Sequence, residues 1–129
     1  MNNSVNLYSP NFGMAYKVND LKVASNFLNS QEPKVIEKLT TEMKAAAERL
    51  KDSKYVDVYF YPYAKALSHQ VVWRTPRFSE EGKVEDHFIQ CEKGNVQEAV
   101  NFAIEKEKEM AAAYEYIQAQ SNLLQELKA

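Results

Sequence analysis

Four side chains have the chemistry to hold a metal or attack a substrate: His69, Glu85, His87 and Cys91. They fall on two β-rich runs, so pairing of those runs would draw the two histidines together. No C-x-x-C or H-x-x-x-H spacing preassembles them, which points to structural or surface histidines rather than ligands. A Cys91–His87 nucleophile pair meets a geometric objection. Four residues of extended chain separate the two by about 13 Å at roughly 3.3 Å per residue. Glu80-Glu81 and Glu85-Asp86 are paired carboxylates, but they sit in loop or edge contexts that solvate them. With three glycines in the chain, no glycine-rich loop is available to cradle a phosphate. The expectation is a protein without catalytic residues, metal or cofactor.

The second chemically distinctive stretch is Tyr55–Tyr63, YVDVYFYPY. Alternation puts Val56, Val58 and Phe60 on one face of a strand and Tyr55, Asp57, Tyr59 and Tyr61 on the other. Val71 and Trp73 of the next run join the first face if it is the core. The opposite face then carries Tyr55, Tyr59, Tyr61, Val72 and Arg74. Three covers are open for it. The chain's own N-terminal arm or first helix is one. A protein partner is another, because interface cores are rich in Tyr, Trp and Arg. Single-stranded nucleic acid, stacking its bases on the rings, is the third. Lys54, Lys65, Arg74 and Arg77 supply few cations against many nearby acids, which argues against nucleic acid. The candidate binding residues are Tyr55, Tyr59, Tyr61, Trp73 and Arg74.

These side chains are carried by elements with clear periodicities. Residues 1–19 alternate around Pro10-Asn11-Phe12-Gly13, as a short hairpin or an ordered arm would. Asp20 caps a short helix over 21–29. After Pro33, at a first-turn position, Ile36, Leu39, Met43, Ala46 and Leu50 recur at steps of three and four, giving a helix at about 33–51. Strands at about 55–61, 69–75 and 84–91 follow, with PYAKALS as a tight helical turn and PRFSEEGK as a second connection. Short connections favour antiparallel neighbours. From about 95 to 127 the chain has no proline or glycine, and an apolar stripe through Val96, Val100, Ala103, Met110, Tyr114, Ile117 and Leu124 is interrupted by Glu107 and Ser121. The fold class is α+β: an antiparallel sheet of three or more strands, packed with the 33–51 helix and the long C-terminal helix. Ala45–Ala47 and Ala111–Ala113 would let those two helices cross closely.

A helix of 33 residues is about 50 Å long, whereas a domain of this size spans about 30 Å. Its last turns therefore project, or break near Gln118–Ser121 and fold back, or lie on the N-terminal arm. Projection makes Tyr114, Ile117, Leu123, Leu124 and Leu127 candidate oligomer contacts, because symmetric self-association needs no second gene product.

The whole chain has 129 residues, is 45% hydrophobic and 26% charged, and carries a formal net charge of −2. That fits one globular domain with a real core and excludes a global basic field for duplex DNA. A single cysteine forbids an internal disulfide. The N-terminal MNNSVNLYSPNFG lacks the basic and apolar regions of a signal peptide, and no apolar run reaches membrane-spanning length. The expectation is a cytoplasmic, homo-oligomeric binding or regulatory module that acts on an unspecified protein partner, of the kind found among bacterial or phage accessory proteins. The alternative is small-ligand or single-stranded nucleic-acid binding on the aromatic sheet face, and the third reading is a small enzyme with a site assembled across subunits.

Overall fold

The computed structural model describes residues 15–18, 20–61 and 68–129. Within them the elements run β1 (Tyr16–Val18), α1 (Leu21–Asn29), α2 (Pro33–Arg49), β2 (Val56–Phe60), β3 (His69–Phe78), β4 (Val84–Lys93) and α3 (Val96–Lys128). The α+β class read from the sequence is the class observed. Each helix starts where its local chemistry dictates. The Asp20 carboxylate accepts the Val23 amide at 3.0 Å, Pro33 opens α2, and Asn95 accepts the Glu98 amide at 2.8 Å. The side-chain caps satisfy amides that a helix start leaves without intrahelical partners, and proline there has no amide to leave.

The sheet has the order β1-β2-β3-β4. The three expected strands pair antiparallel, and β1 adds a parallel fourth with Tyr16 opposite Val58. The sheet is therefore mixed rather than purely antiparallel. A parallel neighbour needs a long crossover, and α1 and α2 together provide it. The hairpin considered for residues 1–19 falls mostly outside the described residues, as does most of the PYAKALS turn.

β3 also runs farther than its apolar pattern implied, through Pro76 to Phe78. The Arg74 amide donates to the Tyr55 carbonyl at 2.9 Å. The amide of position 76 would face the same side two residues on, beyond the start of β2. Proline there removes no ladder bond. The β3–β4 hairpin closes with Ser79 and Lys83 bonded through 2.7 Å and the Gly82 amide donating to Ser79 O at 3.0 Å. Gly82 sits at φ +80°, the left-handed position that ends this three-residue loop.

One face of the sheet is the core. Tyr16, Val56, Val58, Phe60, Val71 and Trp73 are buried there with Ala24 and Leu28 of α1, Leu39, Met43, Ala46 and Ala47 of α2, and Val96, Ala99, Val100 and Ala103 of α3. The expected inner residues of the first two strands are thus the ones buried. His69 joins them: it is 2% exposed, stacks on Tyr16 at 5.8 Å, and its Nε2 lies 2.8 Å from the Tyr16 hydroxyl. Burial lowers its pKa to about 4, which keeps the ring neutral, and the Gly94 backbone opposes that shift. No hydrogen bond closes on Nδ1. α2 meets α3 at its first turns rather than at the second alanine triplet. Glu42, Ala45, Ala46 and Arg49 face Val96, Gln97 and Val100 across a small cleft, and Arg49 donates to Asn101 Oδ1 at 3.0 Å. Ala111 and Ala112 are exposed, because by then α3 has left the core.

Candidate interaction surface

Glu107 lies in the last stretch of α3 that still packs on the core, just before Met110. It interrupts the apolar stripe because its carboxylate anchors the start of β2. It accepts the amides of Lys54, Tyr55 and Val56 at 3.0, 2.8 and 3.1 Å, and the Ser53 hydroxyl at 3.0 Å. A carboxylate taking several donors is a strong charge-assisted tie. It fixes the direction of α3 against the sheet.

Two turns further on, Tyr114 makes the last ring or hydrogen-bond contact of α3 with another element among the described residues. Its ring lies on Tyr55 at 4.4 Å, 8° from parallel. The Arg74 guanidinium sits 5.0 Å from the Tyr55 ring and 5.5 Å from the Tyr114 ring. Arg74 reaches Asp86 Oδ2 at 3.0 Å and the Lys54 carbonyl at 3.2 Å, and the Tyr114 hydroxyl donates to Asp86 Oδ1 at 2.6 Å. That hydroxyl, followed by Arg74, holds the Asp86 carboxyl below its ordinary range. Tyr114 is displaced upward, by desolvation first and by Asp86 second. Two candidate binding residues, Tyr55 and Arg74, are thus brought together and covered from within the chain by a candidate oligomer residue, Tyr114. Sequence periodicity places Tyr114 on the stripe but carries no sign of which ring it meets.

The remaining candidates are dispersed. Trp73 lies on the core face, edge-on to Phe102 at 5.7 Å and beneath Lys106 Nζ at 5.0 Å. Tyr59 is half-buried on the outer face, with Lys17 Nζ 5.7 Å above its ring. The same ammonium pairs with Asp57 at 3.1 Å. Tyr61 follows β2, and its amide donates to the Ser68 carbonyl at 2.8 Å. The outer face also presents Phe88, 69% exposed, opposite Arg74 in the ladder. Lys17 and Arg74 on this face are engaged by aspartates. His87 stands opposite Thr75, far along β3 from His69, and no group of three His, Cys, Asp or Glu side chains able to hold a metal occurs among the described residues.

Past Tyr114 the helix changes character. Tyr116 through Gln125 is ten consecutive residues without a charge. Ile117 is half-buried, while Tyr116 is 67%, Leu123 48%, Leu124 39% and Leu127 74% exposed. Among the described residues none of them makes a hydrogen bond, ion pair or ring contact with another element. By contrast, Glu105, Lys108 and Glu109 are solvated charges, Lys108 paired with Glu105 and Glu109 with the largely covered Lys106, each one turn away. No described helix is long and apolar enough to cross a membrane. Comparisons with protein-family models, with curated proteins and with solved structures return no match.

Proposed function

We propose that this chain is a non-enzymatic binding module that works through protein contacts made by the projecting second half of α3. One observation carries the reading: a ten-residue helical stretch without charge, followed closely by Leu127, with four large apolar or aromatic side chains open to solvent. A helix that stays solvated needs charge on its exposed faces, and depletion of charge around aromatic and apolar residues is the composition of an interface core. The Tyr55–Arg74–Tyr114–Asp86 cluster and the Glu107 anchor supply the rigid root from which such a surface is presented. Preorganisation of that kind lowers the entropy lost on binding.

The test is affinity capture from native-host extract with the intact chain and with a Leu123→Glu, Leu127→Glu double variant, both shown to be folded by circular dichroism. Proteins retained by the intact chain and lost by the variant are the expected result; identical retained sets, with identical solution mass, would remove the proposal. A second reading, small-ligand or single-strand binding on the outer face, rests on the exposure of Phe88, on the same face of the sheet as Tyr59. Its measurement is titration with short labelled single strands at low salt. Binding that Phe88→Ala abolishes would favour it. The engagement of Lys17 and Arg74 by aspartates weighs against nucleic acid, whose binding depends on free cations.

A further inference from the structure

We infer that the second half of α3 pairs antiparallel with the same segment of a second copy of this chain. The inference rests on the reading of this segment as a protein-contact surface, and it names the occupant. In alternating steps of three and four, α3 first buries Val96, Ala99 and Ala103 in the core. Lys106 follows, its ammonium over the Trp73 and Phe102 rings. The same steps continue through Met110, Ala113, Ile117, Gln120, Leu124 and Leu127. Met110 still packs on the core cluster, whereas Leu124 and Leu127 are open to solvent. One heptad seam therefore serves two partners in succession: the chain's own sheet, then whatever lies beyond it. A sustained 3–4 repeat is the pattern of a helix that pairs with another helix.

The residues in the seam select both the occupant and its direction. Antiparallel pairing centred between Gln118 and Ala119 sets Met110 against the partner's Leu127, Ala113 against the partner's Leu124, and Ile117 against the partner's Gln120. Each small or polar residue meets a larger apolar one, so the layers fill. Parallel pairing would oppose alanine to alanine and glutamine to glutamine, leaving a gap and a buried polar pair. It would also bring two Glu105–Glu109 runs side by side. The antiparallel arrangement holds those runs at opposite ends and brings Lys128, the only cation after Lys108, level with the partner's Glu109. The uncharged stretch between offers nothing to select a charged partner, and its only demand, apolar complementarity, is met by itself.

The test uses full-length chains with Cys91→Ser, so that the native thiol is absent. Light scattering is expected to give twice the 14.9 kDa chain mass, returning to one chain mass with Leu124→Glu. Two single-cysteine chains, Ala113→Cys and Leu124→Cys, are then oxidised separately and mixed. The mixture is expected to cross-link and neither chain alone, because like positions lie about 16 Å apart along the pair, at 1.5 Å per residue. Cross-linking of Leu124→Cys alone would overturn the antiparallel arrangement. A single-chain mass at high concentration would overturn self-pairing altogether. If that monomer still captured another protein in a way that Leu124→Glu abolished, the contact-surface reading would stand and only the identity of the occupant would fall.

Discussion

Acidification from pH 7 to pH 4.5 tests the buried Tyr16–His69 pair directly. Released into the unfolded chain, His69 recovers an ordinary pKa of 6.5, whereas burial holds it at about 4 in the fold. The folded-state value is depressed, so the charged ring is the form the fold rejects. The neutral ring's contribution is complete above pH 6.5. It is lost as pH falls from 6.5 towards 4, because the unfolded chain binds a proton that the folded chain refuses. At about 1.4 kcal/mol per pH unit, the loss is about 2 kcal/mol by pH 5 and approaches about 3 kcal/mol by pH 4. Set against a total of about 5–15 kcal/mol for a typical domain, that is a large fraction. Asp86, the other group among the described residues with a lowered value, contributes stability that disappears only below its unperturbed pKa of 3.8, outside this window. The assay is urea unfolding at half-unit pH steps, followed by fluorescence of Trp73, the single tryptophan. His69→Gln keeps a polar nitrogen near the Tyr16 hydroxyl but does not titrate, so its stability is expected to stay level from pH 6.5 to 4.5. A wild-type stability that is itself level over that range would refute the reasoning. So would a His69→Gln chain with the wild-type slope.

Three further outcomes are expected. Glu107→Ala strips the start of β2 of its acceptor and is expected to destabilise the chain by about 2 kcal/mol, with hydrogen exchange accelerated at the Tyr55 and Val56 amides; an unchanged urea midpoint would deny Glu107 its anchoring role. Tyr114→Phe removes the 2.6 Å bond to Asp86, so the Asp86 carboxyl, followed by NMR, is expected to titrate higher than in the wild type; a curve that does not move would mean that the hydroxyl does not act on it. Gly82→Ala forces a Cβ onto a left-handed residue at φ +80° with no neighbour within 4 Å, so the loss, about 1 kcal/mol, is expected to be backbone strain alone. Gly82→Asn, which tolerates that region, is expected to recover part of it.

Periodicity made much of this fold legible. The steps of three and four in α2 and α3 and the alternation in β2 depend on which residues are apolar, and burial follows that directly. What stayed hidden depended on pairing across the chain. Nothing in Tyr16 or Val18 states that β1 lies parallel to β2, since alternation is the same in either direction. Pro76 read as a strand end because a proline normally removes a ladder bond, and only the late start of β2 makes it harmless. Glu107 was visible as a charge that breaks an apolar stripe, but its partners are three backbone amides more than fifty residues away, and amides carry no sequence signature. Tyr55, Arg74 and Tyr114 were each singled out, yet their convergence depends on register and helix direction together.

Pro76 has a consequence for how the sheet can grow. Beyond Arg74 the hairpin extends past β2, and among the described residues no strand pairs with the β2-facing side of β3 there. An unpaired edge is a template on which a strand from another chain can zip. The donor that zipping would use first, the amide of position 76, does not exist. A strand arriving there finds the Pro76 carbonyl but no amide to pair with, which blunts that side of the hairpin against amyloid-like extension. A single imino acid thus lets the arm extend into solvent while remaining a poor seed for aggregation.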